Sequence, residues 1–147
     1  MRGYLMFKIK SLLLSIIFLF LSCSNYEPNK HNYHEIKDYI INWSDIFIQD
    51  DDDYLVYFYS ERCGHCNEIK QDVISFSLED IFPLYFICTD IEVIIGPTKD
   101  LIGVDSIDDF YIFGTPFLIR IYQHAIASYY VGSNEVKDYI SILKNNY

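Results

Sequence analysis

Positive charge is in short supply: Lys and Arg number 11 against 21 Asp and Glu in 147 residues, for a formal net charge of −10. A phosphate backbone needs a basic stripe to neutralise it, and none is visible, so nucleic acid is excluded as a partner. The apolar run Ser11 to Leu21 is too short for a permanent span, since a helix needs about 20 apolar residues to cross a hydrocarbon core of ~30 Å. Cysteine is scarce as well, with four in the chain, yet Cys63 and Cys66 stand three apart in "YLVYFYSERCGHC", Tyr54 to Cys66. Such a pair is a metal clamp, a structural disulfide or a redox pair. A zinc clamp takes about four ligands, ordinarily from a second CxxC or a His pair, and Cys88, His31, His34 and His124 show no such spacing. Haem attachment calls for His after the second Cys, where Asn67 stands. The acidic block Asp50 to Asp53 lacks the alternating ligands and glycine turn of a calcium loop and reads as a solvated loop. No metal and no cofactor is expected, which leaves the structural disulfide and the redox pair.

What is present is a hydrophobic fraction of 51% with 18% aromatics, ample for one packed domain at this length. Ahead of it, Arg2, Lys8 and Lys10 form a positive stretch, Ser11 to Leu21 an apolar one, and Ser22-Cys23 follows at once; residues 1–22 read as an export signal. The ending "FLFLSC" resembles the lipobox of bacterial lipoproteins, in which a small residue precedes a cysteine that becomes lipidated. That resemblance implies cleavage between Ser22 and Cys23, a lipid anchor on Cys23 and a place in the cell envelope, on the extracytoplasmic side of a membrane. Two acyl chains are the number that gives stable attachment. Removing Arg2, Lys8 and Lys10 with the signal lowers the charge of −10 by three, to −13. Residues 23–33, mostly polar and without period, read as a tether.

From His34 onward apolar residues recur at Ile36, Tyr39, Ile40, Trp43, Ile46 and Phe47, the spacing of an amphipathic helix with Trp43 in the core. Tyr54 to Tyr59 reads as a buried strand, Asn67 to Leu78 as a helix and Leu84 to Cys88 as a second strand, giving a βαβ unit with the cysteine pair at the carboxyl end of its first strand. A connector from Asp90 to Phe113 is expected to hold one or two short helices. Phe117 to Tyr122 and Ile126 to Val131 read as a hairpin, and Asn134 to Lys144 as a last helix capped by Ser133 or Asn134. Cys88 is expected to be a buried inert thiol, and His124 an exposed turn residue.

This order, with Cys63-Gly64-His65-Cys66 opening the crossover helix and Gly114-Thr115-Pro116 just before the hairpin, resembles the thioredoxin superfamily, and the CGHC tetrad is similar to that of protein disulfide isomerases. The resemblance implies an α/β thioredoxin-like fold, a central mixed sheet flanked by helices, over residues 34–147. It further implies thiol–disulfide exchange with exported proteins bearing thiols or disulfides, a membrane redox partner upstream, a cis Pro116, and a Thr115 backbone that pairs with substrate peptide. The chemistry of the tetrad also follows from the residues. A cysteine at a helix start meets unpaired amides that stabilise its thiolate, with His65 and Arg62 as nearby cations and Glu61 opposing. Cys63 is therefore the attacking thiol and Cys66 the resolving one, while Gly64 leaves room for a partner chain. Two departures stand out: Tyr57 occupies the position, six before the first cysteine, where the family carries a buried acid, and Arg62 replaces a common Trp. The alternative is a thioredoxin-shaped binding module whose disulfide does not cycle.

Overall fold

Strand β1, Asp53–Tyr59, is buried on both faces from Tyr54 onward, as a run of aromatic and β-branched residues without polar alternation requires. The structure, a computed structural model, describes residues 31–91, 94–97 and 99–147. The expected export signal, Cys23 and most of the expected tether lie outside the described residues. Strand β2, Leu84–Cys88, pairs parallel with β1, Leu55 opposite Leu84 and Tyr59 opposite Cys88. Strand β3, Phe117–Tyr122, runs antiparallel to β1, and β4, Ala125–Val131, antiparallel to β3. The order across the sheet is β2-β1-β3-β4. Helix α1, Gly64–Leu78, is the crossover between the parallel strands, and α2, Gly132–Asn146, closes the described chain.

Alternation along β1 divides the core in two. Leu55, Tyr57 and Tyr59 face a layer built from Ile69, Val73, Ile74 and Phe76 of α1 and Val136, Ile140 and Leu143 of α2. Tyr54, Val56 and Phe58 face the other way, onto Trp43, Ile46, Phe47, Leu101, Phe110 and Ile112. Among the described residues this second face is covered by short 3-10 turns and connector rather than by an α-helix.

The amphipathic helix expected from His34 to Phe47 is not formed. Two 3-10 helices stand there, Tyr33–Tyr39 and Trp43–Asp45, separated by extended backbone at Ile40. Ile40 forms a parallel bridge with Phe86, and the Ile41 amide donates to the Phe86 carbonyl at 2.9 Å, so the chain runs along the free edge of β2. The apolar residues that looked like one helical stripe serve opposite faces of the sheet: Ile36 packs with α1, whereas Trp43, Ile46 and Phe47 pack beneath it. Helix α2 also begins earlier than expected. Its N-cap is Val131, so no Ser or Asn side chain caps the first turn; instead Glu135 reaches back to accept from the Val131 amide at 2.9 Å. The connector holds one short 3-10 helix, Ile107–Asp109, among its described residues.

Candidate functional site

Cysteines 63 and 66 sit where β1 hands over to α1. The chain turns through Ser60, Glu61 and Arg62, and the Cys63 amide closes that turn on the Ser60 carbonyl at 3.2 Å. Cys63 then acts as the N-cap of α1, with extended backbone and its own sulfur as the capping acceptor: the Cys66 amide donates to Cys63 Sγ at 3.2 Å. This is the role a Ser or Asp oxygen ordinarily fills. Both cysteines are free thiols. Cys63 is half-buried, and Cys66, in the first turn of the helix, has no exposed surface.

The two sulfurs are shifted in opposite directions. Burial pushes the Cys63 thiol up, but hydrogen bonds from the Cys66 thiol, the Thr115 side chain and the amides of Cys66 and His65 outweigh it and leave its pKa below the ordinary thiol value. Burial pushes the Cys66 thiol up to about 11, and its bond to Cys63 acts in the same direction. A more accessible sulfur that ionises more easily than an ordinary thiol thus stands beside a buried one that holds its proton more tightly, the division of labour thiol exchange needs.

The side chains around the pair are arranged less simply. Arg62 is exposed, and its guanidinium lies 3.3 Å from Asp90 rather than on Cys63. The His65 ring pairs with Glu68 at 3.1 Å, also in the open. Cys66, Thr115 and the helix-start amides, rather than these two cations, therefore lower the Cys63 pKa. Gly64 is open on its Cβ side, with nothing within 4 Å. Asp90, just past the end of β2, accepts from the Ser60 hydroxyl at 2.8 Å and the Glu61 amide at 2.9 Å as well as from Arg62. Those bonds, Ser60 first, hold its carboxyl below the usual range. Asp90 pins the loop that delivers Cys63, a role the sequence signals only once β1 and β2 are known to end side by side. Cys88, expected to be buried, is half-buried, and its thiol points to the Asp90 carboxylate at 3.8 Å. His124 is exposed in the hairpin turn, its Nδ1 3.3 Å from the Phe47 carbonyl. Among the described residues no group of three or more His, Cys, Asp or Glu side chains could hold a metal ion.

Thr115 and Pro116 complete the site from the other side of the sheet. Their peptide bond is cis, and the Thr115 carbonyl accepts from the Cys63 thiol at 3.4 Å. The Pro116 carbonyl accepts from the Gly132 amide at 2.9 Å, tying the loop to the start of α2. A four-stranded mixed sheet in the order β2-β1-β3-β4, a CxxC at the start of its crossover helix and a cis-proline loop against the first sulfur now stand together. The fold is thioredoxin-like. No family model and no curated protein matches the chain. Solved structures similar to it include mitochondrial thioredoxin 3 of Saccharomyces cerevisiae in its oxidised form, at 12% identity and a TM-score of 0.49, covering 70% of this chain and 86% of that one. The germline-specific thioredoxin Deadhead of Drosophila melanogaster is similar at 20% identity and a TM-score of 0.47, over 65% of this chain and 82% of that one. Fasciola hepatica thioredoxin is similar at 18% identity and a TM-score of 0.45, over 63% and 79%. In this thioredoxin-like frame Tyr57 lies at the centre of the sheet with no exposed surface, and among the described residues no Asp or Glu is buried at all.

Proposed function

We propose that the protein is a thiol–disulfide oxidoreductase of the bacterial cell envelope, lipid-anchored through Cys23, that exchanges disulfides with exported proteins through Cys63 and Cys66. The observation that supports it is the unequal setting of the two sulfurs, one half-exposed with a lowered pKa and one buried with a raised pKa. In the reducing direction the Cys63 thiolate attacks one sulfur of a substrate disulfide. A mixed disulfide forms, and the other substrate sulfur leaves as a thiolate that takes up a proton. Cys66 then loses its proton and attacks Cys63 Sγ, expelling the second substrate sulfur, so the substrate gains two electrons and two protons and the Cys63–Cys66 disulfide forms. Run backwards, the same steps oxidise a dithiol, and a membrane redox partner upstream would reset the pair. A substrate peptide approaching Cys63 would pass over Gly64 and alongside Thr115 and Pro116.

The test is trapping. Cys66→Ala should accumulate mixed disulfides with exported proteins, because the intermediate forms but cannot be closed from within, and Cys63→Ala should accumulate few or none. In the wild-type dithiol an alkylating reagent should label Cys63 first at mildly acidic pH and Cys66 only as the pH climbs toward about 11. Equal labelling, no trapped partner, and a reduction potential far below the roughly −300 mV that marks structural disulfides would instead describe a binding module with a static staple. The anchor has its own check. Cys23→Ala should abolish lipid labelling and leave an unprocessed precursor, and labelling that survives the substitution removes the lipid from the proposal.

A further inference from the structure

The hydroxyl of Tyr57 is buried and has no hydrogen-bond partner, an arrangement that costs stability and that a phenylalanine would avoid. Its ring is fixed on three sides, parallel to Tyr59 at 6.2 Å, edge-on to Phe86 at 5.9 Å and within the cluster that also buries Cys66. Tyr57 and Cys66 belong to the same buried cluster, and the Cys66 sulfur adds to the burial that raises the pKa of the hydroxyl. The groups that bear on Cys66 are few: Cys63 from its own helix, Tyr57 from β1, Tyr33 from the first 3-10 helix, and Thr115 and the Ser60 backbone from the flanking loops. No buried carboxylate is among them. Cys66 must nevertheless become a thiolate, inside the core, at the moment it attacks the mixed disulfide.

We propose that the Tyr57 hydroxyl is the hydrogen-bond donor that stabilises the Cys66 thiolate during the resolving step. This rests on the oxidoreductase reading above. The proton leaves Cys66 for the substrate thiolate released in the first step or for water; Tyr57 transfers none. Burial raises its own pKa far beyond that of an ordinary phenol, which rules it out as a base and keeps its O–H available as a donor at every working pH. In the dithiol Cys66 is a neutral thiol, a poor acceptor, so the hydroxyl's lack of a partner belongs to the resting state and ends when Cys66 ionises.

The experiment follows the full-length protein, reduced and then mixed with dithiobis-nitrobenzoate, which releases one coloured thiolate when Cys63 attacks and a second when Cys66 closes the ring. Tyr57→Phe keeps the ring and its stacking and removes only the hydroxyl. The first phase should be unchanged, while the second should slow about tenfold at neutral pH, its pH profile moving up by about one unit, the effect of losing one bond to a charged acceptor. The thermal midpoint should stay level or rise, since an unpartnered polar atom has gone, so slower closure cannot be put down to unfolding. A second phase that superimposes on the wild type, or a loss shared equally by both phases, overturns the role given to Tyr57. A wild-type protein with no second phase overturns the oxidoreductase reading itself, and Tyr57 falls with it.

Discussion

At Gly64 the helix has room to spare, for a Cβ there would meet nothing within 4 Å. Nothing in the fold therefore requires glycine, and alanine should be the better residue in the first turn of α1 by up to about 1 kcal/mol. Gly64→Ala should raise the melting temperature and leave exchange with a small disulfide unchanged, yet slow exchange with a protein disulfide several-fold, as measured by parallel kinetics on the two substrates. Equal rates would show that no partner backbone passes over this position. At this scale the sequence was most legible where the outcome depends on neighbours in the chain: the spacing of Cys63 and Cys66 at a helix start already sets one at the N-cap and the other, buried, one turn in. It was silent where the partner is distant. Asp90 lies 28 residues from Arg62 along the chain and bonds to it only because β1 and β2 end together. The cations next to Cys63 show the converse, since Arg62 and His65 are adjacent in sequence and are drawn off by Asp90 and Glu68.

Among the elements, the β3–β4 hairpin turns on only two residues, Gln123 and His124, both in the left-handed region at φ 50° and 65°. That is the two-residue geometry that matches the twist of paired strands, and Asn-Gly fits it best. Replacing the pair by Gln123→Asn and His124→Gly should stabilise the protein by roughly 1 kcal/mol, read as a higher denaturant midpoint with an unchanged slope. The Gln123 amide bond to the Asp52 carbonyl at 2.8 Å is kept; the His124 contact with Phe47 is lost and sets the ceiling on the gain. The strands were readable as short apolar runs rich in aromatic and β-branched residues, and the crossover helix as the stretch of helical length between two of them. The segment from His34 to Phe47 was misread for a physical reason. A spacing of three and four marks residues that share a side only if the backbone stays helical, and the β2 edge offers Ile40 and Ile41 a backbone pairing that breaks the helix. The free edge of a sheet is not visible in local sequence.

For the whole molecule the excess of acid over base is the long-range property a partner meets first. Exchange with a basic protein disulfide should be fast at low ionic strength and fall steeply between about 0.01 and 0.5 M salt, where the screening length contracts from roughly 30 Å to a few Å. Exchange with an acidic protein should vary little or rise, and a pair of salt titrations by stopped flow distinguishes them; identical slopes would mean that charge steers nothing. The closed core has a further effect, on how the molecule ages. A peroxide reaching the site meets the sulfur of Cys63, because Cys66 shows no surface to it. The sulfenic acid it leaves on Cys63 is one helical turn from a thiol that can condense with it, expelling water and forming the reversible disulfide before further oxygen is added. Burial of the second cysteine thus keeps a spare reductant where the oxidant cannot reach it, and damage to Cys63 ends in a disulfide that a thiol reductant can undo.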